Sequence, residues 1–298
     1  MKKIVITGAL GYIGTELCKL YSGFSWKYDV VAIDNRFISE RVNELKRRKI
    51  KFVQADILNL NDIEPYIHDA EVVHHLAGIT DVAYVKKESN PEQDDKIKKV
   101  AIQGTENVIK SMNNNATIVF PSTHVVFEGL KEPKTNLDEN ETTSTFLAYS
   151  SSKVENEKQI INSNKKYAIF RLGSVYGFST DTMRINIMPN LFSKIASQNG
   201  TIKLFGGGVQ YKSLVPLIDV ARCFKFVEEN KNFKSGIYNL SKENTTVKEV
   251  ALICKRINPK LQIIETDDEV PNKGYTLSNK KILDAGFEFV NNLETCIE

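Results

Sequence analysis

Apolar residues in the first half of the chain come in short unbroken runs, separated by stretches of helical period. Lys3-Ile4-Val5-Ile6-Thr7 is β-branched and does not alternate with polar residues. Such a run is a strand covered on both faces, as in a parallel sheet. Tyr12 to Tyr21 has helical spacing, and further strand-like runs follow at Val30 to Asp34, Phe52 to Asp56, Ala70 to Leu76, Thr117 to Phe120 and Tyr167 to Arg171. Helical patterns lie between most of them, notably Lys96 to Asn113 and Tyr149 to Asn162. This alternation predicts an α/β fold built on a doubly wound parallel sheet. After Tyr176 the pattern loosens. Met183 to Gln198 predicts a helix, Phe205 to Gly208 a turn, and Leu214 to Val227 a strand entering a helix. Gly236 to Leu240 predicts a strand that returns to the sheet, and Thr246 to Ile257 a helix stopped by Asn258-Pro259. The expected division is a main domain of residues 1–177 plus 209–241 and a smaller lobe of 178–208 plus 242–298.

Composition narrows the class. The chain has 298 residues and a hydrophobic fraction of 41%, enough for a sizeable core. Its formal net charge is only +3, with basic and acidic residues interspersed, so no nucleic-acid partner is expected. The Lys46 to Lys51 run is a solvated helix face. The four cysteines, Cys18, Cys223, Cys254 and Cys296, are far apart and form no C-x-x-C, which fits a reduced cytoplasmic protein. With His74 and His75 they make no metal-ligand spacing, so no metal is expected. The apolar run after Lys2-Lys3 is too short for a signal-peptide core, and no later stretch would span a membrane.

The first candidate chemistry is Thr7-Gly8-Ala9-Leu10-Gly11-Tyr12-Ile13-Gly14, with glycines at G-x-x-G-x-x-G between a strand and a helix. In that context Gly8 permits the tight turn, Gly11 the approach of a pyrophosphate, and Gly14 close packing of helix on strand. The phosphates would meet the free N–H groups of the helix start. Asp34 ends the second strand about twenty residues on, where a carboxylate accepts from the adenine-ribose hydroxyls and repels a 2′-phosphate. NAD is therefore expected over NADP, although the nearby Arg36 is of the type that holds such a phosphate. Asp56 would cap the adenine with Ile57 packed on it; alternatively Asp56 only ends a strand.

The second is Tyr149-Ser150-Ser151-Ser152-Lys153 on a predicted helix. Positions four apart share a helical face, so both side chains reach one site. A free phenol has a pKa of about 10, and an adjacent ammonium lowers it into a useful range. Thr123, just after the fifth strand, is the hydroxyl that would hold the substrate oxygen. His124 beside it is read as a packed or rim residue with an acid/base role as the alternative. His74 and His75, at a strand end, are read as structural.

These residues carry a resemblance. TGALGYIG, HLAG (75–78), PSTHVVF (121–127), YSSSK, RLGSVYG (171–177), NIMP (186–189) and PLIDVA (216–221) resemble the extended short-chain dehydrogenase/reductase family, specifically its NAD-dependent nucleotide-sugar epimerases and dehydratases. The resemblance implies a Rossmann domain with a C-terminal nucleotide-sugar lobe, and a catalytic triad of Thr123, Tyr149 and Lys153. It implies cofactor contacts at Tyr12, Ile13, Asn35, Leu76, Ala77, Gly78 and Leu172, with Lys153 on the nicotinamide ribose. It implies substrate contacts at Thr80, Ser174, Asn186, Leu204, Phe205 and Lys212, and a homodimer through the 96–113 and 149–162 helices.

Dehydratases of this family carry Asp-Glu directly after the catalytic Thr, and decarboxylating relatives keep a Glu at the second position. This chain has His124-Val125 there. The expectation is therefore epimerisation, with a sugar hydroxyl, at C4, oxidised to a keto intermediate and reduced on its other face. A C4 dehydrogenase or ketoreductase, and a non-catalytic NAD-binding regulatory protein, are the alternatives. Three departures from the family pattern are Ser174 for Asn, Ala101 for Asn, and Asp267-Asp268-Glu269 where relatives place an Arg.

Overall fold

The computed structural model describes residues 1–80, 90–270 and 273–297. The chain begins β1 (Lys2–Thr7), α1 (Tyr12–Ser22), β2 (Tyr28–Asp34), α2 (Ser39–Arg47), β3 (Lys51–Gln54), α3 (Leu60–Ile67) and β4 (Val72–His75). It continues α4 (Pro91–Ser111), β5 (Thr117–Thr123), a 3-10 turn (His124–Phe127), β6 (Lys134–Leu137), α5 (Ala148–Ile161), β7 (Lys166–Leu172) and β8 (Ser174–Tyr176). Then come α6 (Met188–Ser197), β9 (Thr201–Phe205), β10 (Tyr211–Pro216), α7 (Leu217–Glu229) and β11 (Gly236–Leu240). The end of the chain is β12 (Glu243–Thr246), α8 (Val247–Ile257), β13 (Gln262–Thr266), β14 (Tyr275–Leu277), α9 (Lys280–Asp284) and α10 (Leu293–Ile297).

Seven strands form one parallel sheet in the order β11-β7-β5-β4-β1-β2-β3. The unbroken apolar runs have a simple cause. Ile4 and Ile6 enter one core with Leu17, Tyr21, Val220 and Phe224, while Val5 enters the other with Ile63, Val108, Ile118 and Ile160. Helices therefore cover both faces, and each central strand buries successive side chains on opposite sides. The strand order reverses between β1 and β4, so the carboxyl ends of these strands open the crevice in which such sheets bind ligands.

Three small sheets complete the structure: β12-β10-β8, β13-β9 and β14-β6. A third core gathers Phe192, Ile202, Leu204, Val250 and Cys254. A fourth packs Val126, Phe127 and Leu137 against Tyr275 and Leu277, beneath the 3-10 turn. The helix predicted from Met183 begins only at Met188, after a turn in which Ile187 N–H donates to the Arg184 carbonyl at 3.1 Å. Pro189 sits in its first turn, where a missing N–H costs nothing. Among the described residues the four cysteines are unpaired, no helix is long and apolar enough to cross a membrane, and no cluster of metal-ligating side chains forms.

Candidate active site

The glycine loop joins β1 to α1. Gly8 has φ +68°, and a Cβ there would lie 2.7 Å from the Ala77 nitrogen, so the loop is pressed against the chain leaving β4. A Cβ on Gly14 would lie 2.5 Å from the Gly8 carbonyl oxygen and 2.8 Å from the Ala9 Cα. Helix α1 can start this close to the strand only without a side chain there. No side chain caps α1 at Gly11, and its first turn holds no acid. The N–H groups at Tyr12 and Ile13 are thus left without a side-chain cap, at a helix end whose dipole favours an anion. The Tyr12 phenol is committed elsewhere, donating to the Gly177 carbonyl and accepting from Asn190 Nδ2 at 3.3 Å.

The second side of the crevice is fixed by a buried relay. Ala77 N–H donates to Thr7 Oγ1 at 3.2 Å, Thr7 Oγ1 meets His75 Nδ1 at 2.9 Å, and His75 Nε2 meets Thr105 Oγ1 at 3.0 Å. Burial pushes both His74 and His75 down to about 3, so they are neutral packing groups, as read from the sequence. His74 pairs with the Tyr21 hydroxyl at 2.8 Å and stacks on Phe224. Leu76 N–H donates to the Thr7 carbonyl at 3.1 Å, while Gly78 and Thr80 are exposed at the rim.

Asp34 is buried at the end of β2. Its Oδ2 accepts from the Leu10 N–H at 3.0 Å, which ties it to the glycine loop. Its Oδ1 accepts from Arg36 N–H at 3.1 Å and Nε at 3.0 Å, with Nη2 on Oδ2 at 3.3 Å. A ribose on Asp34 therefore has to displace the Arg36 fork, whose side chain is 54% exposed and free to swing outward. Asn35, exposed, accepts from Gln54 through its carbonyl. Asp56 Oδ1 accepts from Leu58 N–H at 2.9 Å, and Ile57 is buried where Gly104 of α4 leaves room for it. We expect Asp34→Ser to weaken NAD binding about tenfold or more, the loss of a charged hydrogen-bond acceptor. It also releases Arg36 toward a 2′-phosphate, so the NADP-to-NAD affinity ratio rises. Titration of both cofactors checks this, and tighter binding of NADP than NAD by the unaltered protein contradicts it.

The three residues of the expected triad lie at the end of β5 and in the first turns of α5. Tyr149 and Thr123 are both buried, and the Thr123 hydroxyl acts on the Tyr149 phenol. Lys153 Nζ donates to the Pro121 carbonyl at 2.8 Å and stands 4.3 Å from the Phe120 ring centroid and 5.9 Å from that of Tyr149. Burial lowers Lys153 to about 8, with Glu157 acting against the fall. Burial raises Tyr149, while the charge of Arg184 and the bond to Thr123 pull it back down. Arg184 is a site residue the sequence did not disclose, because only the fold of the loop before α6 carries its charge toward Tyr149. Leu172 ends β7 directly beside Thr123 in register.

His124 opens the 3-10 turn. Its Nε2 meets Ser174 Oγ at 3.3 Å and its carbonyl accepts from the Tyr275 hydroxyl at 2.9 Å. Burial and the nearby Lys212 push it down to about 3, so its ring stays neutral. Lys212, half-buried, is likewise lowered by burial. Asn186 is exposed in the loop before α6. Of the Leu204-Phe205 edge, Leu204 turns its side chain wholly into the third core, and Phe205 is the side chain left on the surface, 55% exposed.

The sequence profile of the NAD dependent epimerase/dehydratase family matches residues 4–241. The chain belongs to that family. NAD is accordingly the cofactor, and the uncapped helix, the glycine cradle and Asp34 fit it. Among the family's relatives, a Methanocaldococcus jannaschii protein provisionally named UDP-glucose 4-epimerase is 30% identical over 263 residues, 85% of this chain and 81% of its own length. The UDP-glucuronic acid 4-epimerase of Bacillus cereus, solved with UDP-glucuronic acid and NAD, shares the fold with a TM-score of 0.82 at 22% identity, over 99% of this chain and 96% of that one. The Thermus thermophilus UDP-glucose 4-epimerase, solved with NAD, gives 0.78 at 19% identity, over 99% and 96%.

Proposed function

We propose that the protein is a nucleotide-sugar 4-epimerase. The observation that carries this reading is the set of buried Tyr149 and Thr123 with half-buried Lys153 held on the Pro121 carbonyl, together with a glycine loop shaped for a pyrophosphate. The family relatives named as UDP-sugar 4-epimerases support the substrate class. The absence of an Asp-Glu pair after Thr123, where His124 is a neutral partner of Ser174, supports epimerisation over dehydration.

The glycine loop, the α1 N–H groups and Asp34 would hold the adenosine diphosphate half of NAD, with Ile57 and Asp56 at the adenine. Leu76, Ala77, Gly78, Leu172 and Lys153 would hold the nicotinamide half. When bound, NAD would supply reversible hydride acceptance at the sugar carbon. Thr123 fixes the sugar oxygen. Tyr149 takes the hydroxyl proton as the carbon is oxidised and returns it as the carbonyl is reduced, so no net proton is consumed. Arg184 and Lys153 offset the cost of the buried phenolate. Residues 178–208 and 242–298 serve as the nucleotide-sugar lobe, with Asn186 and Lys212 toward the pyrophosphate, Phe205 toward the base, and Ser174 and Thr80 toward the sugar. The test is incubation with NAD and a panel of nucleotide-activated hexoses and uronic acids, with the sugar followed by NMR. Inversion at C4 is expected. Accumulation of a keto sugar with matching cofactor reduction favours the dehydrogenase reading.

The protein is also proposed to be a cytoplasmic homodimer through α4 and α5. The two helices are stitched side by side, Asn156 Nδ2 donating to the Ala101 carbonyl at 3.0 Å and Gln159 Nε2 to that of Ile102 at 3.1 Å. Ile160 and Val100 pack into the second core, so the apolar contacts left for a partner are Ile102 and Ile161. Light scattering is expected to give about twice the 33.7 kDa of one chain. A single-chain mass at working concentration contradicts the dimer.

A further inference from the structure

Directly behind the triad lies a buried ion pair that the mechanism above does not use. Glu157, one turn beyond Lys153 on α5, is 3% exposed, and Arg171 on β7 is 4% exposed. Glu157 Oε1 accepts from Ser122 Oγ at 2.5 Å and from Arg171 Nε at 3.1 Å, and Oε2 accepts from Arg171 Nη2 at 2.8 Å. Arg171 is anchored in turn through Nη1 on the Glu139 carbonyl at 3.3 Å and by its guanidinium 5.3 Å from the Phe127 ring centroid.

The placement is regular. Tyr149, Lys153 and Glu157 are spaced four apart and share one face of α5. Pro121, Ser122 and Thr123 are consecutive on β5. The Pro121 carbonyl takes Lys153 and Ser122 bonds Glu157, while the Thr123 hydroxyl acts on Tyr149. Successive turns of the helix are thus set against three consecutive residues of the strand. The bidentate Arg171 fork fixes the last tie from the neighbouring strand, a geometry that admits little rotation.

The charges around Lys153 point the same way. Its stem lies against Phe120, and β5 offers it only a carbonyl. His75 of β4 faces it and is neutral, pushed down to about 3. His124, in the turn after β5, is pushed down to about 3 as well. Arg171 on β7 is engaged with Glu157, and Arg184 acts on Tyr149. Among the described residues Glu157 is the only carboxylate whose charge acts on Lys153, and it acts to hold the proton.

We propose that Glu157, clamped by Arg171 and Ser122, is a positioning residue: it fixes the Tyr149–Lys153 face of α5 against Thr123 and keeps the half-buried Lys153 side chain an ammonium. The proposal rests on the triad reading above. The titration that tests it needs no sugar, so its failure is distinguishable from a failure of the sugar chemistry. In ¹⁵N-lysine NMR of the NAD-bound protein, the Lys153 side-chain signal is assigned by its loss in Lys153→Arg. The double variant Glu157→Gln with Arg171→Met removes both charges and leaves neither partner buried alone. Lys153 is then expected to lose its proton about half a pH unit lower than in the parent, because Glu157 is the charge that acts on it and the loss of the Arg171 cation offsets only part of the change. The alkaline limb of turnover moves to lower pH with it, and kcat falls while KM changes little. A Lys153 titration at the parent midpoint in the double variant overturns the proposal and leaves the sugar chemistry untouched. Ser122→Ala keeps both charges and serves even where the double variant does not fold. It is expected to leave the titration in place and lower kcat about fivefold, one hydrogen bond's worth of positioning. An unchanged kcat in Ser122→Ala overturns the positioning claim.

Discussion

Tyr149→Phe is expected to lower turnover by about three orders of magnitude while NAD remains bound, as for loss of a positioned acid/base group. The ring of Tyr149 is 9% exposed and packed at the start of α5, so Phe preserves the shape of the site and deletes only the hydroxyl. That hydroxyl is acted on by both Thr123 and Arg184. His124 offers no substitute base, because its ring is turned onto Ser174 and burial pushes it down to about 3. Thr123→Ala is expected to cost less, about 10²-fold, as for one positioned polar group. Its hydroxyl also accepts from Val125 N–H at 3.1 Å and caps the 3-10 turn, so part of that loss is a looser turn. Steady-state rates with bound NAD measured by its absorbance separate these effects. Near-full activity in Tyr149→Phe would show that another group carries the proton.

Gly14→Ala should be the most damaging single-methyl change in the cofactor site. The added carbon would meet the Gly8 carbonyl oxygen at 2.5 Å and the Ala9 Cα and oxygen at 2.8 Å, all backbone atoms that cannot rotate away. Either α1 moves off the loop or the loop opens against Ala77, where Gly8 is already in tight contact. Overpacking of this kind costs about 1–3 kcal/mol. If the strain is relieved only by moving the N–H groups at Tyr12 and Ile13, it reappears as a loss of about 5- to 150-fold in NAD affinity. Calorimetric NAD titration and thermal unfolding are both read. Unchanged affinity and unchanged melting would mean the helix start does not hold the pyrophosphate.

Much of this site was legible in the sequence because parallel strands are buried on both faces and so leave unbroken apolar runs, with the chemistry at their ends. Thr7, Asp34, His75, Thr123 and Leu172 all close strands of the central sheet. Helix α5 was legible because the Tyr149-to-Lys153 spacing and the strand before it constrain each other. The smaller strands were not. β6 and β14 have four and three residues and pair across the chain from Lys134 to Leu277, so neither carries a periodic signal of its own. Arg184 was illegible for a related reason, since its position is set by the loop between β8 and α6. Glu157 could have been found: it stands at Lys153 plus four and Tyr149 plus eight, and a carboxylate on that face demands a partner.

The most direct measurement is epimerisation of the accepted nucleotide-sugar in D₂O, with the inverted carbon examined by proton NMR and mass spectrometry. Tyr149 exchanges its proton with water, but the hydrogen on the carbon is held within the site and returned. The product is therefore expected to carry protium at the inverted carbon, at every stage of conversion, in a reaction that needs NAD and is lost in Tyr149→Phe. Deuterium at that carbon would contradict redox epimerisation by this triad and point to proton abstraction from carbon instead.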